Sequence, residues 1–255
     1  MRYALQVQYI GKNYAGSQIQ FEKGMEIQTP TIQGELEKAI STLIFGDTEN
    51  INRQLKTVFS GRTDKGVNSE GQVVHFDSDK SIVASKFVYQ LNEVLPPDIS
   101  VSGLNEVDER FHAQKSAKRR YYRFVFVNRK CKNAFDGDLM RIKYPINIER
   151  MQKALNYIKG EHDFTSFKSS GTLNPSKICF IEKAVCQKDG DRVIIDIVGN
   201  RFLYNMVRTI VGTLLEIEGH NLPAEHMEQV LNACDRSKAG QTVSPYGLTL
   251  MKVEY

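Results

Sequence analysis

The chain has 255 residues, 41% of them hydrophobic, with four cysteines and a formal net charge of +4, enough material to bury the core of one large domain or two small ones. No apolar run approaches the roughly 20 residues of a membrane span, and Met1 to Ile10 alternates polar and apolar residues where a signal peptide has an apolar block, so the sequence reads as cytoplasmic. Cys131, Cys179, Cys186 and Cys234 lack C-x-x-C or zinc-site spacing and read as four buried thiols, while the mild positive charge permits an acidic partner such as nucleic acid.

Alternation at Tyr3, Leu5, Val7 and Tyr9 predicts a strand, and apolar spacing at Ile32, Leu36, Ala39, Ile40 and Leu43 predicts a helix started by Thr31 and stopped by Gly46. Short strands follow at Lys56 to Ser60 and Gln72 to Phe76, then a helix from Ser85 to Leu95 ended by Pro96-Pro97, and a strand from Ile99 to Val107. The second half predicts strands at Tyr121 to Val127, Ile178 to Cys186, Arg192 to Val198 and Leu248 to Glu254. Its helices fall at Ile148 to Lys159, Arg201 to Glu216 and Pro223 to Cys234. The elements do not alternate regularly as β-α-β-α, which favours an α+β fold with antiparallel sheet over a parallel one. The halves are expected to be 1–108 and 109–255, with a functional cleft between them.

Two constellations stand out chemically. Ser60-Gly61-Arg62-Thr63-Asp64-Lys65-Gly66-Val67 is a polar strand-end loop in which Arg62 could hold Asp64 ionised and so make it a usable nucleophile. The same residues are also ordinary turn formers. On the predicted helix Arg201 to Glu216, Arg201, Asn205 and Arg208 fall at i, i+4 and i+7 and would share a polar edge beside the stripe of Phe202, Met206, Ile210 and Leu214.

From Phe111 to Phe135 there is no acidic residue, while Lys115, Lys118, Arg119, Arg120, Arg123, Arg129, Lys130 and Lys132 interleave with Tyr121, Tyr122, Phe124 and Phe126. Cations that track phosphates and rings that stack on bases suit single-stranded or flipped nucleic acid, although a solvated strand with one core face has the same pattern. Asp77-Ser78-Asp79 reads as a polar turn rather than a metal site. The five histidines form no metal-binding pattern, and no dinucleotide fingerprint or phosphate loop is present.

Seven segments in order resemble the tRNA pseudouridine synthase A family over nearly the whole chain. They are Gly61-Arg62-Thr63-Asp64-x-Gly66-Val67, Gly71-Gln72-Val73-Val74-His75-Phe76, Phe111-His112-Ala113, Arg120-x-Tyr122-x-Phe124, Gly160 to Phe167, Phe202 to Arg208, and Asp235 to Gly240. The resemblance implies a pseudouridine synthase fold: an extended, mainly antiparallel sheet in two RRM-like halves with flanking helices and a central cleft. It implies a homodimer acting on uridines 38–40 of the tRNA anticodon stem-loop, with no cofactor and no metal. It assigns Asp64 as nucleophile, Arg62 and Arg208 as cations that hold the carboxylate and steer the nucleotide, and Tyr122 as the stacking ring, with Arg120 and Arg201 beside the substrate. The chain departs from the family pattern at two places flanking the site: Asn68 where His is usual, and Ser17 where Trp is usual. The alternatives are a non-catalytic RNA-binding protein of two RRM-like halves and a nucleotide hydrolase, the latter without metal ligands or a phosphate loop to support it.

Overall fold

The computed structural model describes residues 1–22, 25–26, 29–46, 55–169 and 176–255. In chain order the described elements are β1 (Arg2–Tyr9), β2 (Phe21–Glu22), β3 (Met25–Glu26), α1 (Ile32–Phe45), β4 (Val58–Phe59), β5 (Asn68–Asp77), α2 (Ala84–Val94) and β6 (Ile99–Val107). They continue with β7 (Arg119–Asn128), β8 (Arg141–Ile142), α3 (Ile148–Asn156), β9 (Gly160–Asp163), β10 (Ile178–Asp189), β11 (Arg192–Gly199), α4 (Met206–Gly219), α5 (His226–Ala233) and β12 (Leu248–Glu254). Two compact units result, Met1–Ala117 with Leu250–Tyr255, and Lys118–Thr249. The first unit therefore runs beyond the expected limit at residue 108 and takes back Leu250–Tyr255.

In the first unit β1 pairs antiparallel with β5 on one side and β6 on the other, and β12 is the other neighbour of β5. The alternation read from sequence buries Tyr3, Leu5, Val7 and Tyr9 of β1 on the face shared with Val74 and Phe76. Helix α1 covers that face with Ile32, Leu36, Ala39, Ile40 and Ile44. Its ends are fixed by the residues the sequence indicated. The Thr31 hydroxyl accepts the Gly34 N–H at 3.1 Å, and Gly46 takes a left-handed φ of 76° while its N–H donates to Thr42 O at 2.9 Å. Asn92 ties α2 to β6 by accepting the Val101 N–H and donating to Val101 O, both at 2.9 Å.

The second unit is an antiparallel sheet in the order β7-β11-β10-β9, with β8 parallel to the end of β7. Phe124, Phe126, Val193, Ile195 and Ile197 are buried, as are Met151 and Leu155 of α3 and Ile210, Val211 and Leu214 of α4. One close approach explains two glycines. A Cβ on Gly212 of α4 would lie 1.8 Å from Gln241 O, and one on Gly240 would lie 2.6 Å from the Gly212 carbonyl carbon, so helix and following segment touch backbone to backbone.

Two expectations need correcting. The helix predicted from Arg201 starts at Met206, because Asn205 adopts φ 62°, a left-handed conformation that an α-helix cannot pass through. Arg201, Asn205 and Arg208 therefore do not share a helix face, and Phe202 is outside the apolar stripe of α4. Of the four cysteines only Cys179 and Cys186 are buried; Cys131 and Cys234 are exposed. Burial pushes the Cys179 thiol up to about 11 and that of Cys186 to about 12, so both stay protonated. Asp77 of the Asp77-Ser78-Asp79 turn is the ion-pair partner of Arg2, with both oxygens bonded at 2.8 Å. Among the described residues no helix is long and apolar enough to cross a membrane.

The motif Phe111-His112-Ala113 closes the first unit around His75. His75 is 4% exposed, and its Nδ1 accepts the Ala113 N–H at 3.1 Å. Its ring packs against Phe111 and His112, and Tyr255 donates to Ala113 O at 2.9 Å. Burial first, then the positive charge of Arg2 and of His112, holds its pKa down from 6.5 to about 4, against a smaller upward pull from Asp77. The unfolded chain thus takes up a proton that the folded one refuses, and this group's share of stability is lost as pH falls from 6.5 to 4. Urea unfolding at pH 7.5 and pH 5 should differ by about 2 kcal/mol on this account. His75→Asn, which keeps an acceptor but has no proton to gain, should remove that part of the difference.

Candidate active site

Asp64 lies in the loop between β4 and β5, in the first unit, where it is half-buried and forms an isolated antiparallel bridge with Gly16. The loop leaves the sheet, so its backbone polar groups must find partners other than a neighbouring strand. Buried side chains brace the loop at both main-chain and side-chain atoms. Gln72 of β5 donates to Gly61 O at 2.9 Å and accepts from the Ser60 hydroxyl. Tyr9, at the end of β1, is 4% exposed, and its hydroxyl meets Thr63 Oγ1 at 2.8 Å. Burial raises the Tyr9 pKa from its ordinary value, so the phenol remains a neutral bonding group.

The preceding loop, residues 10–18, runs alongside. Ser17, 1% exposed, donates its backbone N–H to Thr63 O at 3.0 Å and accepts the Thr63 N–H on its hydroxyl at 2.8 Å. Gly66 donates to Gly11 O at 3.2 Å, and the Gly11 N–H donates to Asn68 Oδ1 at 2.9 Å. Lys12, Arg62 and Lys65 of these loops are exposed.

The other predicted site residues belong to the second unit. Strand alternation places Arg120 and Tyr122 on the side of β7 that carries Phe124 and Phe126, and Arg119, Tyr121 and Arg123 on the opposite side. Tyr122 is half-buried and meets Phe202 edge to face, with ring centroids 5.0 Å apart. Arg120 donates to Asn200 O at 2.5 Å, and Asn200 is held by Phe180 through a main-chain bond at 3.0 Å and a side-chain bond at 2.9 Å. The segment from Gly199 to Asn205 is thereby laid against the end of β7. Gly199 permits this, since a Cβ there would come within 2.9 Å of Phe180 O.

Arg208, on the first turn of α4, is half-buried and oriented from two sides. Its Nε donates to Val243 O at 2.8 Å and its Nη1 to Asn205 Oδ1 at 2.7 Å. Asn205 in turn donates to Ser169 Oγ at 2.9 Å. Arg201 is half-buried in the extended stretch before the helix. The structure thus groups Tyr122 with Phe202, Arg120 with Asn200, and Arg208 with Asn205. Sequence reasoning gave no supporting role to Tyr9, named only as the end of an alternating strand, to Gln72, named only within a motif, or to Ser17, named only as flanking the site.

Part of the acid-free basic stretch is neutralised across the sheet. Arg119 pairs with Glu182 at 2.5 Å, Arg123 with Asp196 at 2.8 Å, and Arg129 with both Asp136 and Asp191. Lys115, Lys118, Lys130 and Lys132 are all exposed. No group of three or more His, Cys, Asp or Glu that could hold a metal occurs among the described residues.

A family model described as tRNA pseudouridine synthase matches residues 154–255. The tRNA pseudouridine synthase A of Brevibacillus brevis is 38% identical over 249 residues, covering 97% of this chain and 96% of the relative. That of Thermoanaerobacter sp. (strain X514) is 40% identical over 254 residues, covering 98% and 97%. That of Colwellia psychrerythraea is 35% identical over 256 residues, covering 100% and 94%. Similarity at this level runs from end to end and takes in both the Asp64 loop and the Tyr122 and Arg208 elements, and the chain belongs to the tRNA pseudouridine synthase A family.

Proposed function

We propose that the chain isomerises uridine to pseudouridine at positions 38–40 of the tRNA anticodon stem-loop, as a cytoplasmic homodimer, with Asp64 as nucleophile and without a cofactor. The observation that carries this reading is the setting of Asp64: a half-buried carboxylate on a loop whose flanking backbone is fixed by buried hydrogen bonds. A group held in this way loses little freedom on reaching its reactive geometry.

The reaction breaks the bond from N1 of uracil to C1′ of ribose, turns the detached base, and joins C5 to C1′. The proton on C5 leaves to solvent and N1 takes one up, so charge and oxidation state balance without an external oxidant or reductant. Asp64 attacks or stabilises the electron-poor centre that forms as the first bond breaks. The target base must leave its stack at a cost of a few kcal/mol, which stacking on an aromatic ring offsets. Tyr122, braced by the edge of Phe202, serves as that ring. Arg208, aimed by Asn205 and the Val243 carbonyl, and the exposed Arg62 meet phosphates or the carboxylate. Arg120 and Arg201 lie beside the nucleotide, and the lysines of the basic stretch contact the RNA backbone.

tRNA labelled with tritium at C5 of uridine tests the whole reading. The wild-type chain should release label to water in step with pseudouridine formed at the anticodon stem-loop, and a chelator should leave the rate unchanged once tRNA folding is controlled. Asp64→Asn should abolish release while tRNA affinity stays within about twofold, since no phosphate-binding cation is altered; substantial release by that variant would remove Asp64 from the role.

Tyr122→Ala should lose about 1 to 3 kcal/mol of base stacking, and Tyr122→Phe nearly none. Stopped-flow or equilibrium binding of tRNA to both variants measures the difference. Damage from Tyr121→Ala with Tyr122→Ala harmless would put the opposite face of β7 against the base.

The log-log salt dependence of tRNA binding should flatten by about 0.7 to 0.9 for each phosphate-contacting cation removed. Lys118→Gln should show this change and Arg119→Gln a smaller one, because Arg119 is committed to Glu182.

A further inference from the structure

We infer that Ser17 and Asn68 are positioning residues that clasp the Asp64 loop from both sides. The inference rests on the reading of Asp64 as the nucleophile.

Ser17 engages both polar backbone atoms of Thr63: its N–H donates to Thr63 O at 3.0 Å, and its hydroxyl accepts the Thr63 N–H at 2.8 Å. Thr63 O and the nitrogen of Asp64 lie in one peptide plane, so fixing the first orients the second. The hydroxyl is needed for this, because an indole at the same place has a donor but no acceptor to offer the Thr63 N–H. Ser17 is 1% exposed, so water is not at hand to replace a lost acceptor.

On the other side the anchored residue is Gly11. Its N–H donates to Asn68 Oδ1 at 2.9 Å, and its carbonyl accepts from Gly66 at 3.2 Å. The approach leaves no room for a side chain, since a Cβ on Gly11 would lie 2.1 Å from Val67 O. The Asp64 carbonyl accepts the Val67 N–H at 3.1 Å, which makes residues 64–67 a closed turn hung from this second anchor. Asp64 therefore has a fixed main chain on each side, and its reach is set by its own side-chain torsions.

The two residues differ in one useful respect. An amide at position 68 accepts a hydrogen bond at every pH, whereas an imidazole accepts through a ring nitrogen only while neutral. Asn68→His should match the wild-type rate at pH 8 and lose rate as the ring protonates towards pH 6, an acid limb that the wild-type chain lacks.

The experiment measures single-turnover tritium release and tRNA Kd for the full-length chain and its variants. Ser17→Ala and Asn68→Ala should each slow release by about 10- to 100-fold, the range that a small misplacement of a reacting group produces. Kd should stay within about twofold. Ser17→Thr, which keeps a hydroxyl, should recover most of the rate. Unchanged single-turnover rates in Ser17→Ala and Asn68→Ala would overturn the clasp, as would a loss confined to Kd. Should Ser17→Ala fail to fold, the pH profile of Asn68→His decides alone, and the absence of the acid limb overturns the proposal. Asp64→Asn measured in parallel separates the two ideas: turnover by that variant sinks the nucleophile reading, whereas an inactive Asp64→Asn beside fully active Ser17 and Asn68 variants sinks only the clasp.

Discussion

A carboxylate placed on a loop is only as well aimed as the backbone beneath it, and in this chain that backbone has left the sheet. Strand pairing of β4 with β5 covers only Val58 and Phe59, the Ser60 N–H adds one more main-chain bond to Val73 O, and beyond it the loop is braced largely by side chains. Gln72, Tyr9 and Ser17 supply that bracing from inside the protein. A buried polar group without a partner costs about 1 to 3 kcal/mol, so each of these residues is held to its identity by the loop as firmly as the loop is held by it. The site is rigid because its supports belong to β1, β5 and a segment stitched to them.

The second unit solves the same problem differently. There the cation of interest sits on a helix, and aiming is done by where that helix starts. Asn205 in the left-handed region stops the helix from beginning earlier and turns its side chain to the Arg208 guanidinium three residues on. Ser169 holds Asn205 from the other side. With the Val243 carbonyl as a further acceptor, the guanidinium is steered by groups from three separate stretches of chain.

The regular elements were legible in the sequence because their determinants are local. Tyr3, Leu5, Val7 and Tyr9 announce β1 by alternation, Thr31 and Gly46 bracket α1, and Ile99 to Val107 delimit β6. The start of α4 was not legible: Arg201 to Asn205 continue the apolar spacing of a helix, and the left-handed turn at Asn205 depends on Ser169, far away in sequence. The thiols misled in a similar way, since composition does not tell the buried Cys179 from the exposed Cys131. Of the candidate site, Asp64, Tyr122 and Arg208 emerged from motifs resembling one family. The supporting roles of Tyr9, Ser17 and Gln72 did not, even though Gln72 lies in one of the motifs and Ser17 flanks the site, because hydrogen bonds such as Ser17 to Thr63 and Tyr9 to Thr63 join residues whose nearness exists only in the fold.

The return of Leu250–Tyr255 to the first unit has a consequence for the order of events during synthesis. While residues 118–249 are being made, β5 lacks the neighbour it has in the finished sheet. Gly71 and Ser69 wait for backbone that has not yet emerged: Ser69 Oγ for Leu250 O at 3.1 Å, and Gly71 for the close passage of Met251. The nascent first unit is therefore a sheet with an open edge, a surface that invites chaperones or wrong pairing. The unit that the ribosome delivers first is the one that must be finished last.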